Sequence, residues 1–310
     1  MKSGRRGASG GRQSGGAEIL TSRENRWLKE FRVALRGGVA TAGGAVGVEG
    51  ARLVEEALSS GCQVEAVLFS ESGERWKEKL APLVGRAEMG FPVLRTTNRL
   101  FEGIADTEHP QGVAALVVPR AVTLEELVGG GTTSGACAAL IVVLAGVQDP
   151  GNVGTIVRTA AAFGATGVVT AATGLSGTAS PFAPKALRAS AGAALHVPVL
   201  TGMALGILLT QLKMLGIRTV ASAVHRQSGD PLAPWELAWC EPVALLVGNE
   251  GVGLPEDVVH GADARIHIPM ASEVESLNAG AAAAVVLYEA YRQRNKAATR
   301  AGVQKSQSED

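Results

Sequence analysis

Ile268-Pro269-Met270-Ala271-Ser272-Glu273-Val274-Glu275-Ser276-Leu277-Asn278 runs from an apolar strand end, through a proline and a polar turn, into an alanine-rich helix entered at Ser276. Two earlier segments close in the same way. Residues 139–145 run into Asp149-Pro150-Gly151-Asn152-Val153-Gly154, and residues 243–247 run into Gly248-Asn249-Glu250-Gly251-Val252-Gly253-Leu254-Pro255. Three apolar strands thus deliver small and polar residues to one edge of a sheet. In open α/β sheets that edge is where ligands bind.

Outward from these strands, the second half of the chain alternates. Strands are expected at 139–145, 167–170, 217–222, 243–247 and 265–268, with helices at 154–163, 183–190, 204–214 and 277–294. Alternating β and α elements predict a parallel sheet covered on both faces. The first half reads as a smaller α/β module. Apolar residues at 27, 28, 31 and 35 give a helix over 25–36 with a basic opposite face. A helix over 49–60 and strands at 64–69 and 113–118 follow. The expected organisation is a flexible basic tail at 1–18, an α/β domain at 19–120 and a linker at 121–136 carrying Gly129-Gly130-Gly131. A larger domain at 137–295 and a flexible tail at 296–310 complete it.

A length of 310 residues allows two domains. No apolar run reaches the roughly 18 residues of a membrane span, and no apolar leader opens the chain. Cys62, Cys137 and Cys240 are few and far apart, which suits a reducing cytoplasm and gives no disulfide framework. The five histidines show no metal spacing. Net charge is zero, but residues 1–36 hold nine Lys/Arg against three Asp/Glu. A basic arm on a neutral body fits a polyanionic partner, or simply a solvated tail.

The candidate chemistry lies at the three strand ends. Asn152 occupies an N-cap position, where capping alone would account for it. Arg158 leans back over Gly154 and Thr155 toward an open helix start, a natural anion site, although a surface salt bridge would also explain it. Glu250 is either an accepting partner for Arg158, a general base, or a solvated loop carboxylate. Gly248, Gly251 and Gly253 permit close backbone approach to a ligand. Ser276 reads as a helix cap, with Asn278 beside it. Neither G-x-G-x-x-G nor a Walker A sequence occurs, so ordinary dinucleotide and triphosphate sites have no support.

Asn-Val-Gly-Thr-Ile-Val-Arg (152–158), Val-Gly-Asn-Glu-Gly-Val-Gly-Leu (247–254) and Ile-Pro-Met…Ser-Leu-Asn (268–278) resemble the three motifs of the SpoU/TrmH family of RNA ribose 2′-O-methyltransferases. The three together, in order and spacing, are highly specific. Residues 19–118, ending in Ala-Asp-Thr-Glu-His-Pro-Gln-Gly-Val (105–113), resemble the small substrate-binding domain that some members carry. The resemblance implies a trefoil-knotted α/β domain, a homodimer, and S-adenosylmethionine as cofactor. It implies catalytic roles for Asn152, Arg158, Glu250, Ser276 and Asn278. Gly248, Ile268 and Leu277 match cofactor-holding positions, and the same strand ends bring in Ala223, Leu246 and Met270. Ser272 stands where glycine is common, and Ala279 where valine is usual. The expected activity is 2′-O-methylation of structured RNA, ribosomal RNA ahead of tRNA. A catalytically silent RNA-binding protein on the same scaffold is the rival.

Overall fold

The computed structural model describes residues 18–86, 90–129, 138–173, 177–222, 231–271 and 276–307. Residues 1–17 of the expected basic tail, the second part of the glycine-rich linker (130–136), Ala223 and Ser272 lie outside the described residues.

Two sheets organise the chain. The first contains β1 (Glu18–Leu20), β2 (Val46–Glu49), β3 (Gln63–Ser70), β4 (Val93–Thr96) and β5 (Val113–Val118) in the order β1-β4-β3-β5-β2. It is mixed: β3 runs parallel to β4 and antiparallel to β5. Helices α1 (Arg26–Ala34), α2 (Ala51–Ser59), α3 (Lys77–Arg86) and α4 (Asn98–Glu102) accompany it. The sequence pattern predicts only β3 and β5. The other three strands are three or four residues long, too short to display a period.

The second sheet is wholly parallel. It holds β6 (Leu140–Ala145), β7 (Gly167–Ala172), β8 (Val199–Ala204), β9 (Arg218–Ser222), β10 (Val243–Val247) and β11 (Ala264–Ile266) in the order β11-β9-β10-β6-β7-β8. Period-two alternation sends neighbouring side chains to opposite faces. Leu140, Val142 and Leu144 pack with Val153, Ile156, Val157 and Ala160 of α6 (Pro150–Ala162), and with Ala283, Val286, Leu287 and Ala290 of α10 (Ala279–Gln307). Ile141, Val143 and Ala145 face the other way, onto Leu205, Leu208 and Leu212 of α8 (Leu205–Met214). Both faces are covered, as the near-continuous apolar strands predict. The remaining helices are α5 (Leu124–Gly129), α7 (Pro184–Ala189) and α9 (Glu256–Gly261).

Three boundaries differ from expectation. α5 falls within the stretch expected as a linker, and its Leu127 is fully buried against β7. α6 starts at Pro150, four residues early, because proline suits the first helical position. α10 runs to Gln307, through most of the expected C-terminal tail. Its buried Arg294 donates to the carbonyls of Trp239, Ala138, Ala139 and Glu241, which pins the helix to the start of β6.

Small residues let three helices crowd together around α6. A Cβ on Gly154 would lie 2.3 Å from the Ala186 carbonyl oxygen of α7, and one on Gly280 would lie 2.9 Å from Thr155 Cγ2. The obstacle at Gly154 is backbone and cannot turn aside. Gly154→Ala is therefore expected to lower unfolding stability by about 1–3 kcal/mol through overpacking. Urea denaturation against wild type measures it, and an unchanged midpoint would contradict the close approach of α6 and α7.

Candidate active site

The three polar loops meet where β6, β10 and β11 end. Asp149 occupies the N-cap position of α6, so Asn152 sits inside the first turn instead of capping it. Its amide is thereby free to reach outward. Asn152 Nδ2 donates to Glu250 Oε1 at 3.0 Å, and Asn152 Oδ1 accepts from Asn278 Nδ2 at 2.9 Å. Asn278 Oδ1 accepts from the amides of Gly280 and Ala281, at 2.9 and 3.3 Å. Asn278, not Ser276, is thus the residue that caps α10. Ser276 is exposed beside it.

The direction of every bond in this chain is fixed by its ends. Glu250 offers only acceptors while ionised, and the first turn of α10 offers only N–H donors. Glu250 also accepts from the amides of Gln148 (3.2 Å) and Asp149 (3.1 Å). Burial works against its charge, but the bonds from Asn152 and the nearby amides outweigh it and hold the carboxyl below the usual carboxylate range. Glu250 is therefore an anchored, ionised acceptor. It does not pair with Arg158. Arg158 is exposed and makes no hydrogen bond or ion pair among the described residues.

The loop carrying Glu250 is held by its neighbour. Asn249 exchanges two main-chain hydrogen bonds with Gly253 (3.1 and 3.0 Å), and its Oδ1 accepts from the amides of Gly251 and Val252. Asn249 Nδ2 donates to the Gly146 carbonyl at the end of β6. A Cβ on Gly248 would lie 2.4 Å from Gly253 C and Leu254 N. The close approach that requires glycine here is made by the loop to itself.

Residues 139–288 match the model of the SpoU rRNA Methylase family, and residues 42–115 match an MRM3-like substrate binding domain. The 23S rRNA (guanosine(2553)-2′-O)-methyltransferase RlmP of Bacillus subtilis is 33% identical over 242 residues, which is 78% of this chain and 86% of that one. The chain belongs to the SpoU methylase family. A Synechocystis protein named as a tRNA/rRNA methyltransferase is 33% identical over 90% of this chain and 96% of its own. Among solved structures, the AdoMet-bound rRNA methyltransferase of Sinorhizobium meliloti superposes with a TM-score of 0.73. Its identity is 28%, with 89% of this chain and 98% of that one covered. AviRb of Streptomyces viridochromogenes, in complex with AdoMet, gives 0.72 at 26% identity over 87% and 98%.

In this SpoU methylase the residues expected to hold cofactor fall into two groups. Ile268 and Met270 are half-buried and Leu277 is 41% exposed, so these side chains border the site. Leu246 differs: its side chain is buried in the core on the α8 side, and its carbonyl accepts from Ser222 Oγ at 2.9 Å. Ala223 lies outside the described residues. Sequence reasoning missed Asn249 and Lys185. Asn249 was hidden in a turn, although asparagine commonly hydrogen-bonds its own backbone two residues on. Lys185 Nζ lies 2.5 Å from Asp149 Oδ1, and no local pattern signals a pairing across 36 residues.

Because its pKa is lowered, Glu250 is ordered and charged above the usual carboxylate range, and loses that role only as pH falls through the lowered value. A neutral amide would turn donors toward Gln148 and Asp149. Glu250→Gln is expected to slow methyl transfer at least about tenfold at every pH from about 6 to 9, with no shift in the profile's midpoint. A moved midpoint would identify Glu250 as the proton acceptor instead.

Proposed function

We propose that this chain transfers the methyl group of S-adenosylmethionine to a ribose 2′-hydroxyl of structured RNA, ribosomal RNA ahead of tRNA. The observation that carries the reading is the chain Glu250–Asn152–Asn278, which ties the ends of three motif segments together beside an unpaired Arg158. Family membership, and the named activities of relatives covering most of this chain, support it. A silent RNA-binding scaffold has no need of this arrangement.

The residues present fit the cofactor. The ends of β9, β10 and β11 adjoin partly exposed apolar side chains at Ile268, Met270 and Leu277, suited to an adenosine face, next to main-chain groups of 246–250 and 276–278. When bound, S-adenosylmethionine supplies an electrophilic methyl group. Everything else falls to the protein. Asn152 and Asn278 hold the starts of α6 and α10 in one arrangement. Arg158 extends from α6 as a planar, bidentate phosphate ligand, which would fix the adjacent 2′-hydroxyl for attack. Glu250 already accepts three hydrogen bonds and a charged guanidinium has no lone pair to offer, so the hydroxyl proton passes to a phosphate that Arg158 holds or to water.

The proposed organisation assigns substrate selection to 19–120 and chemistry to 137–295. The basic face of α1 lies on the first of these units. A trefoil knot is supported by the path of the last segment: β11 lies at one edge of the sheet, yet α10 returns across it to pack on α6. A homodimer is supported by an exposed aromatic patch. Tyr288 and Tyr291 of α10 stack about Phe163 at 5.6 and 5.7 Å, with Val285 also exposed. Among the described residues no helix is long and apolar enough to cross a membrane, and no group of His, Cys, Asp and Glu could hold a metal. An RNA substrate supports a cytoplasmic location.

Three measurements test the reading. Mapping 2′-O-methyl sites in RNA from a deletion strain should reveal one missing modification. Gly248→Val should abolish S-adenosylmethionine binding in calorimetry while the protein stays folded, because valine forces the 248–254 loop open; unchanged affinity would sink this cofactor assignment. Arg158→Ala and Arg158→Lys should each lose at least about tenfold in turnover, ~1.4 kcal/mol of barrier, with cofactor affinity little changed. Lysine keeps the charge but not the fork. Near-normal turnover of Arg158→Lys would reduce the role of Arg158 to charge alone.

A further inference from the structure

The short helix α7 touches both halves of the molecule. On one side, Arg188 Nη1 lies 2.7 Å from Asp106 Oδ2 of the first domain. On the other, Lys185 Nζ lies 2.5 Å from Asp149 Oδ1, immediately before α6. Neither end is attached to something loose. The Asp106 amide donates to Glu49 Oε2 at 2.8 Å, and Thr107 donates to the same carboxylate through its amide and its hydroxyl. Glu49 is itself buried at the end of β2, so the Asp106 turn is fixed to the sheet of the first domain. At the other end, the Asp149 amide donates to Glu250 Oε1, the same oxygen that receives Asn152. Between the two ends α7 lies against α6 at backbone distance, where a Cβ on Gly154 would come within 2.3 Å of the Ala186 carbonyl oxygen.

We infer that α7 is a strut that sets the position of the substrate-binding domain relative to the catalytic asparagine chain, and that Arg188 is a positioning residue for methyl transfer. The inference rests on the methyl-transfer reading above. The first domain holds RNA on its own surface, so a small rotation of that domain displaces the target ribose from Arg158 and Asn152. A displacement of about 1 Å is enough to cost a large factor in rate. Stability argues in the same direction. The Arg188–Asp106 pair is partly exposed, 38% and 29% by side chain, and pairs of that kind contribute little to folding. Its placement between two rigidly held groups exceeds what folding requires of it.

The test uses the full chain with ribosomal RNA stripped from a strain lacking the gene, and reads single-turnover transfer of labelled methyl at saturating RNA. Arg188→Ala and Asp106→Ala should each slow transfer at least about fivefold, while S-adenosylmethionine affinity and the thermal midpoint stay close to wild type. Arg188→Lys, which keeps the charge, should restore at least half of the lost rate. The double alanine variant should be no slower than the slower single variant, because both remove one contact. Wild-type transfer rates in both single variants would overturn the inference, and so would deficits that multiply in the double variant. Absence of transfer by the wild-type protein would instead strike the proposed function and leave the two failures distinguishable.

Discussion

The hydrogen-bonded chain from Glu250 through Asn152 to Asn278 is the constraint on which the rest of the site depends. It joins residues 98 and 126 positions apart in sequence. Its polarity is set by a carboxylate at one end and a helix N-terminus at the other, so no amide in it can flip without breaking a bond. Each member has a second anchor. Glu250 is held by two main-chain amides, Asn278 by the first turn of α10, and Asn152 by its place in α6. A network satisfied at every member fixes one arrangement, whereas a half-satisfied one would not.

Glycine and alanine make that chain geometrically attainable. The amide of Asn278 reaches Asn152 only because α10 lies close to α6, and Gly280 facing Thr155 permits it. On the opposite flank Gly154 admits α7 to backbone distance. The alanine-rich run after Asn278 therefore has a definite role: bulk there would separate helices whose starts must share one ligand. Gly248 serves the same end by letting the 248–254 loop fold onto itself, which sets Glu250 opposite Asn152. Small side chains act here at a distance from chemistry, through where they allow larger groups to stand.

Five of the six strands of the parallel sheet were legible because apolar strands and intervening helical periods carry a strong signal; β10 falls at the predicted 243–247 and β6 within one residue. β8 was not expected, because Val-Leu-Thr-Gly-Met-Ala lies mostly outside the core and shows no apolar run. The short strands β1, β2 and β4 were not, since three or four residues define no period. The family motifs singled out Asn152, Arg158, Glu250 and Asn278. Which of them bond to one another was beyond the sequence: of the readings left open for Glu250, pairing with Arg158 is not the one seen, and the carboxylate accepts from Asn152 and two main-chain amides instead. The capping assignments shifted for local reasons, with Pro150 moving the start of α6 forward and Asn278 displacing Ser276 as the cap of α10. The ion pairs of Lys185 and Arg188 span 36 and 82 residues and follow from packing alone.

An asymmetry between the amide chain and Arg158 bears on how such a site works. The asparagines and the glutamate are fully engaged within the protein, so their geometry is set before any ligand arrives, and no reorganisation of these groups is required during reaction. Arg158, by contrast, makes no hydrogen bond or ion pair among the described residues. An exposed guanidinium on a rigid helix is a poor source of folding stability and a good ligand for a phosphate. The division suggests distinct duties under the proposed function: a preformed frame holds the helix starts in place, and Arg158 is left for the charge that an RNA would bring. Placing the RNA then falls to contacts remote from the reacting hydroxyl, which is where binding energy can be converted into alignment.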